Sequence, residues 1–282
     1  MTTTYTTLIS ATDLAQAPQA GWVVRDCRHD LANAQAGRAA YDAGHIPGAL
    51  FASLDHDLAD HARAPDGGFR GRHPLPQMDA FIATLRGWGV NDDSQVVAYD
   101  AQGGMFAARL WWMLRWAGHQ AVAVLDGGLP AWTALGMPLS TDTAAPPPGA
   151  LQRRAALVRT VSAGDILSRP HLAVLDARAP DRFRGENETL DPVGGHIPGA
   201  RNRFFKDNLL PDGRFKPAAL LRAELGALVS APEAAVMQCG SGVTACHNLL
   251  ALEVAGLSGA ALYPGSWSEW CADPARPVAT GA

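Results

Sequence analysis

The chain is a duplication, and that limits its fold more than any other feature. Val24-Arg25-Asp26-Cys27-Arg28 leads to Gly44-His45-Ile46-Pro47-Gly48-Ala49, just as Leu175-Asp176-Ala177-Arg178 leads to Gly195-His196-Ile197-Pro198-Gly199-Ala200. Further on, Val96-Val97-Ala98-Tyr99-Asp100 answers to Val236-Met237-Gln238-Cys239, and Leu125 through Trp132 answers to Tyr263 through Trp270. Two copies of one pattern require two similar units, and 282 residues suffice for two domains of common size. A Pro-rich, aperiodic stretch runs from Met137 through Pro146-Pro147-Pro148 and reads as a stiff, extended linker. We therefore expect domains over 1–140 and 158–282, joined by a linker over 141–157.

Each half alternates short β-rich runs with amphipathic ones. Trp22 to Arg25, Val96 to Tyr99 and Ala121 to Leu125 read as buried strands, and Met78 to Gly87 and Met105 to Trp116 as helices. In the second half the strands are Leu172 to Leu175, Ala234 to Gln238 and Ala260 to Tyr263, and the helices Pro217 to Val229 and Val243 to Ala255. Such alternation specifies α/β domains, each with a mainly parallel sheet flanked by helices.

Composition removes several classes of function. No apolar run is long enough to span a bilayer, and Met1-Thr2-Thr3-Thr4-Tyr5 lacks the basic and apolar blocks of a signal peptide, so a cytoplasmic protein is expected. The four cysteines form no CxxC pair, which argues against zinc and against a disulfide scaffold. A net charge of −4 without basic blocks offers nothing to nucleic acid. His56, Asp57, Asp60 and His61 have helix-like spacing, suited to a metal or to a solvated helix face. Trp111, Trp112 and Trp116 follow a helical pattern and read as packing residues.

The chemistry is concentrated at Val236-Met237-Gln238-Cys239-Gly240-Ser241-Gly242-Val243-Thr244-Ala245, a strand, a tight loop and a helix start. Glycines let such a loop curl with its N–H groups inward, and the helix adds the positive end of its dipole, so an anion at the centre is favoured. A thiolate would be that anion, which makes Cys239 a candidate nucleophile; a small buried apolar residue is the other reading.

The duplication acts as an internal control. Features shared by both halves are scaffold: the Gly-His-Ile-Pro-Gly-Ala strings, with His45 and His196 as turn residues held by local hydrogen bonds, and the ion pairs Asp26/Arg28 and Asp176/Arg178. Trp132 and Trp270 join them as packing anchors. Features of the second half alone are the Cys239 loop, where the first half has Asp100, and Arg182, where the first half has the alanine-rich Leu31-Ala32-Asn33-Ala34. A guanidinium fork at Arg182 suits a carboxylate or sulfonate.

The string Cys239-Gly240-Ser241-Gly242-Val243-Thr244-Ala245 resembles the active-site loop of the rhodanese-like sulfurtransferases, above all the mercaptopyruvate branch, and the resemblance covers essentially the whole chain. It implies tandem rhodanese-like domains, an inactive first and a catalytic second. It implies further that Cys239 carries sulfur as a persulfide cradled by Gly240, Gly242, Val243 and Thr244, with Arg182 holding the anionic end of the donor. In that branch Ser241 is grouped with His73 and Asp55, a trio able to move a proton. The expected reaction is ping-pong transfer from mercaptopyruvate to cyanide or a thiol, including a thioredoxin-like protein, with no metal or organic cofactor. The alternatives are the same route from thiosulfate and, more distantly, a cysteine-dependent phosphatase, whose loop needs a closing arginine where this chain has Ala245-Cys246. One departure stands out. The mercaptopyruvate branch carries a second arginine shortly before its Gly-His-Ile-Pro-Gly string, where this chain has Glu188-Thr189-Leu190-Asp191-Pro192; Arg201, Arg203 and Lys206 just downstream are candidates to supply that charge.

Overall fold

The computed structural model describes residues 3–17, 20–62, 67–143 and 145–282; Met1-Thr2 of the chain start and Ala144 of the linker lie outside the described residues. The chain divides into two compact units. The first comprises Met1–Asp60, Pro76–Leu157 and Leu209–Phe215, and the second His61–Leu75, Val158–Asn208 and Lys216–Ala282. Each unit thus includes a short stretch from the other half of the sequence, which a division into two contiguous repeats does not anticipate.

In the first unit β1 (Leu8–Ile9), β2 (Trp22–Asp26), β3 (Leu50–Phe51), β4 (Gln95–Tyr99) and β5 (Val122–Leu125) form a sheet in the order β1-β5-β4-β2-β3. Between them run α1 (Ala11–Ala15), α2 (Ala36–Ala43), α3 (Met78–Gly87), α4 (Ala107–Trp116) and α5 (Gly128–Ala134). The second unit repeats this with β6 (Arg159–Thr160), α6 (Ala163–Ser168), β7 (Ala173–Asp176), α7 (Pro180–Arg184), β8 (Arg201–Asn202), α8 (Ala218–Gly226), β9 (Ala235–Gln238), α9 (Thr244–Val254), β10 (Ala261–Leu262) and α10 (Ser266–Trp270). Its strand order, β6-β10-β9-β7-β8, is the same topology, and the pairings in both sheets are parallel.

Helices cover both faces of each sheet, so the central strands read as continuous apolar runs rather than alternating ones. Every residue of β4 and of β9 is buried. The helix after each central strand is also buried nearly all round, Ala107 to Leu114 in α4 and Ala245 to Leu252 in α9. Trp111 and Trp112 are fully enclosed, as the helical pattern predicts.

The shared features are indeed scaffold. Arg28 grips Asp26 through Nε and Nη2 and donates to the Gly44 carbonyl; Arg178 does the same with Asp176 and Gly195. His45 Nδ1 bonds the Tyr41 carbonyl while its ring stacks on Tyr41, and His196 does likewise with Phe183. Backbone bonds then pin each turn to a later segment of its own unit, His45 to Ser140 and His196 to Ala279. The Trp132 and Trp270 indoles donate to Pro138 and Pro277 in the same segments.

Two expectations need correction. The stretch expected as a stiff linker between the domains belongs to the first unit: within 149–157 the N–H groups of Gly149, Leu151, Arg154 and Leu157 donate to carbonyls of Arg86, Val90, Ala117 and Arg115. And His56, Asp57, Asp60 and His61 share no helix. Residues 54–57 form turns, with Asp57 accepting the Ser53 N–H, and the described residues contain no group of three or more His, Cys, Asp or Glu placed to hold a metal.

Candidate active site

The second unit carries the loop from Cys239 to Val243 between the end of β9 and the start of α9, beyond the carboxyl edge of the sheet. That is where parallel α/β sheets place ligands. The turn after β10 holds the loop from below. The Cys239 N–H donates to Ser266 Oγ at 3.1 Å, and the carbonyls of Cys239 and Gly240 accept the N–H groups of Trp267 and Ser268, each at 2.9 Å. Ser266 itself sits at φ 53°, alone among the described non-glycine residues in having positive φ, and its hydroxyl donates to Tyr263 O. Such strain persists only where surroundings fix it, and here it buttresses the cysteine backbone. Gly242 is required at φ 77°: a methyl there would lie 2.4 Å from the Pro264 carbonyl. Val243, the cap residue, is buried, and Thr244 begins α9.

Ser241 and His73 are brought together. Ser241 Oγ lies 2.8 Å from His73 Nδ1, and both residues are buried. His73 reaches this loop because His61–Leu75 belongs to the second unit, although its sequence comes from the first half. Asp55 belongs to the first unit. The segment is fixed at Gly71, where a methyl would lie 2.7 Å from the Gly265 carbonyl, and at Arg72, whose N–H donates to Ser268 Oγ at 3.1 Å. Ser268 therefore ties the cysteine loop and the histidine segment to one turn.

Arg182 lies beside the same loop, its Nε and Nη2 on Glu188 at 2.7 to 3.1 Å and its Nη2 3.5 Å from Asp191. Burial raises the Glu188 carboxyl, but the Arg182 bonds and the Leu190 N–H outweigh it and hold that acid below the usual carboxylate range. The stacked pairs correct the counterpart of Arg182. Tyr41 and Phe183 play the same role, so the residue facing Arg182 in the repeat is Ala40, not the Leu31–Ala34 stretch. His45 follows Tyr41 by four positions and His196 follows Phe183 by thirteen. Glu188 and Asp191 lie in that insertion.

Sequence reading missed Arg72, which forms an ion pair with Asp191; adjacency to His73 was the available signal. The charge expected from Arg201 and Arg203 goes elsewhere. Arg203 bonds Asn208 and Glu224, and Arg201 donates to the Leu228 carbonyl on the exposed edge. The other cysteines differ from Cys239 in setting. Burial, then Asp100 and Asp26, pushes the Cys27 thiol well up; burial and then Asp191 push Cys271 up; Cys246 donates to the Gly242 carbonyl from inside α9.

Comparison with known proteins agrees with this architecture. The model of the rhodanese-like domain matches residues 10–135 and 161–273. A Pseudomonas aeruginosa protein named "Probable 3-mercaptopyruvate sulfurtransferase" is 47% identical over 281 residues, covering 97% of this chain and 98% of that one. The thiosulfate sulfurtransferase of Bos taurus is 32% identical over 94% of this chain and 92% of its own. Among solved structures, the 3-mercaptopyruvate sulfurtransferase from Leishmania major superposes with a TM-score of 0.84 at 30% identity, over 94% of this chain and 74% of that chain. Two matched domains, one repeated sheet topology and relatives of this identity and coverage lead to one conclusion: the chain belongs to the rhodanese-like family, as a two-domain sulfurtransferase.

Proposed function

We propose that the protein moves sulfur from 3-mercaptopyruvate to a thiol or cyanide acceptor through a persulfide on Cys239. The observation that carries this reading is the buried contact of Ser241 with His73 beside the cysteine loop. In the first half-reaction the Cys239 thiolate attacks the donor thiol sulfur. The S–S bond forms, the C–S bond breaks, and its electron pair leaves on carbon as the enolate of pyruvate. The sulfur keeps its proton or yields it to solvent, and the enolate takes one through Ser241, backed by His73 and, in this reading, by Asp55. In the second, cyanide or a thiol such as that of a thioredoxin-like protein takes the outer sulfur and frees the Cys239 thiolate. The N–H groups of Gly240, Gly242, Val243 and Thr244 would cradle the persulfide, and Arg182 would hold the donor carboxylate.

Thiosulfate is the second candidate donor, favoured by the lack, in the Glu188-to-Asp191 segment, of the second arginine of the mercaptopyruvate branch and by the likeness to the bovine thiosulfate enzyme. It needs no protonated leaving carbon. Steady-state thiocyanate formation with each donor, on native protein and on Ser241→Ala, separates the two. We expect the higher kcat/KM with mercaptopyruvate, and a loss of about 100-fold on Ser241→Ala confined to that donor. Equal loss with both, or preference for thiosulfate, overturns the proton-transfer role.

A further inference from the structure

Two guanidinium groups converge on Gly240, the residue next to Cys239. A methyl placed on Gly240 would lie 2.7 Å from Arg72 Nη2, 3.6 Å from Arg182 Nη2 and 3.8 Å from Arg182 Nη1. Each arginine is anchored by a carboxylate more deeply buried than itself. Asp191, 3% exposed, holds Nη1 of Arg72, and Glu188, 4% exposed, holds Nε and Nη2 of Arg182; the two arginine side chains are 27% and 20% exposed. The acids are therefore enclosed and the cations are what the site offers to solvent. Among the described residues, Arg72 Nη2 and Arg182 Nη1 have no protein partner, and these two nitrogens approach Gly240. A third arginine close by, Arg178, is spent on Asp176 and is only 1% exposed.

We propose that Arg72 is a second anion-binding residue of this site, closing with Arg182 on the carboxylate of the sulfur donor, and that Asp191 is the buried tether that aims it. The inference rests on the sulfur-transfer reading above and names the group that would recognise the donor. Two unsatisfied N–H edges from different arginines match the two oxygens of one carboxylate, and charge-assisted bonds of that kind give geometry as well as affinity. The site is one residue from the cysteine, a separation suited to a donor whose carboxylate and thiol stand at opposite ends of three carbons. Ser268 fixes the backbone of Arg72 to the turn that carries the cysteine loop, so the guanidinium and the sulfur are held in one frame.

The test compares mercaptopyruvate with mercaptoacetone, which keeps the thiol and ketone and lacks the carboxylate, on native protein, Arg72→Ala and Arg72→Lys. We expect Arg72→Ala to raise KM for mercaptopyruvate at least tenfold and to shrink the preference for mercaptopyruvate over mercaptoacetone by a similar factor, with Arg72→Lys intermediate. Calorimetric binding of pyruvate asks the same question without turnover, and Kd should weaken at least tenfold in Arg72→Ala. Equal losses with both donors would make Arg72 a structural support of the loop. Unchanged KM and unchanged pyruvate Kd overturn the proposal outright. Should native protein bind pyruvate in an Arg72-dependent way yet transfer no sulfur, the sulfur-transfer reading fails while the anion site stands.

Discussion

The two loops that follow β4 and β9 occupy the same place in two copies of one sheet, and they solve one electrostatic problem differently. In the first unit the Asp100 carboxylate turns back into its own loop and accepts the N–H groups of Gln102, Gly104, Phe106 and Ala107 at 2.8 to 3.0 Å. In the second unit Cys239 stands at that position with a shorter side chain, His73 meets Ser241 of its loop, and Arg72 and Arg182 approach Gly240. The first loop shows that this backbone, at a helix start, is built to hold an anion. With a carboxylate built in, it is a structural element; on our reading, with a thiol there instead, the same donors serve the sulfur that Cys239 receives. A second contrast lies one residue earlier. The Tyr99 hydroxyl donates to Asp26 and accepts the Ile46 N–H, whereas neither polar atom of the buried Gln238 amide has a partner among the described residues.

The comparison can be broken most decisively by exchanging the two residues. Cys239→Ser should lower thiocyanate formation by roughly 10³-fold or more, and adding Asp100→Cys should restore none of it, because the first loop has neither Ser241 nor the arginines. Rescue by the second change would mean that the loop alone confers activity. Next in size, Asp100→Ala should destabilise the first unit by about 1.5–3 kcal/mol in urea unfolding, since four N–H groups lose a charged acceptor. Turnover per folded molecule should not change, and a parallel loss of kcat would show that the first loop is more than scaffold.

The insertion that distinguishes the halves gives a pH test. The Glu188 carboxyl is held below its unfolded value, so the stability it contributes is complete above the ordinary glutamate range, about pH 4.3, and is lost as pH falls through the lower folded value. The stability gap between native protein and Glu188→Gln should be constant above that range and close below it; a gap that grows on acidification contradicts the Arg182 pairing. The smallest effect is expected at Gln238. Replacing its unpaired amide with Met should leave stability unchanged or raise it by up to about 1 kcal/mol. A drop larger than that would show that the amide has found a partner, such as an enclosed water.

Much of the fold was legible in the residues because the signals were long and periodic. The helix over Met78–Gly87 falls where the pattern puts it, and β4 and β9 follow from apolar runs that only a covered parallel strand tolerates. The two-residue strands β1, β3, β6 and β8 left no such signal, since they carry too few residues to show a period and exist because a neighbouring strand offers an edge. The duplication sorted His45, His196 and the Asp-Arg pairs into scaffold and left Cys239 and Arg182 for chemistry without any other protein for comparison.

Local sequence determined the two α/β units, the loop with its cysteine, and the glycine that the Pro264 carbonyl demands at position 242. What it could not determine is which side chains meet. His73 and Ser241 are 168 positions apart, Arg72 and Asp191 are 119 apart, and no propensity or period encodes such distances. Those contacts depend on His61–Leu75 belonging to the second unit, on the Ser266–Ser268 turn that holds it, and on an insertion placing two acids behind two arginines. The reason is physical. Chain patterning acts over a few residues, whereas a site is a set of directed hydrogen bonds and charges that becomes defined only once packing has fixed the backbones that carry it.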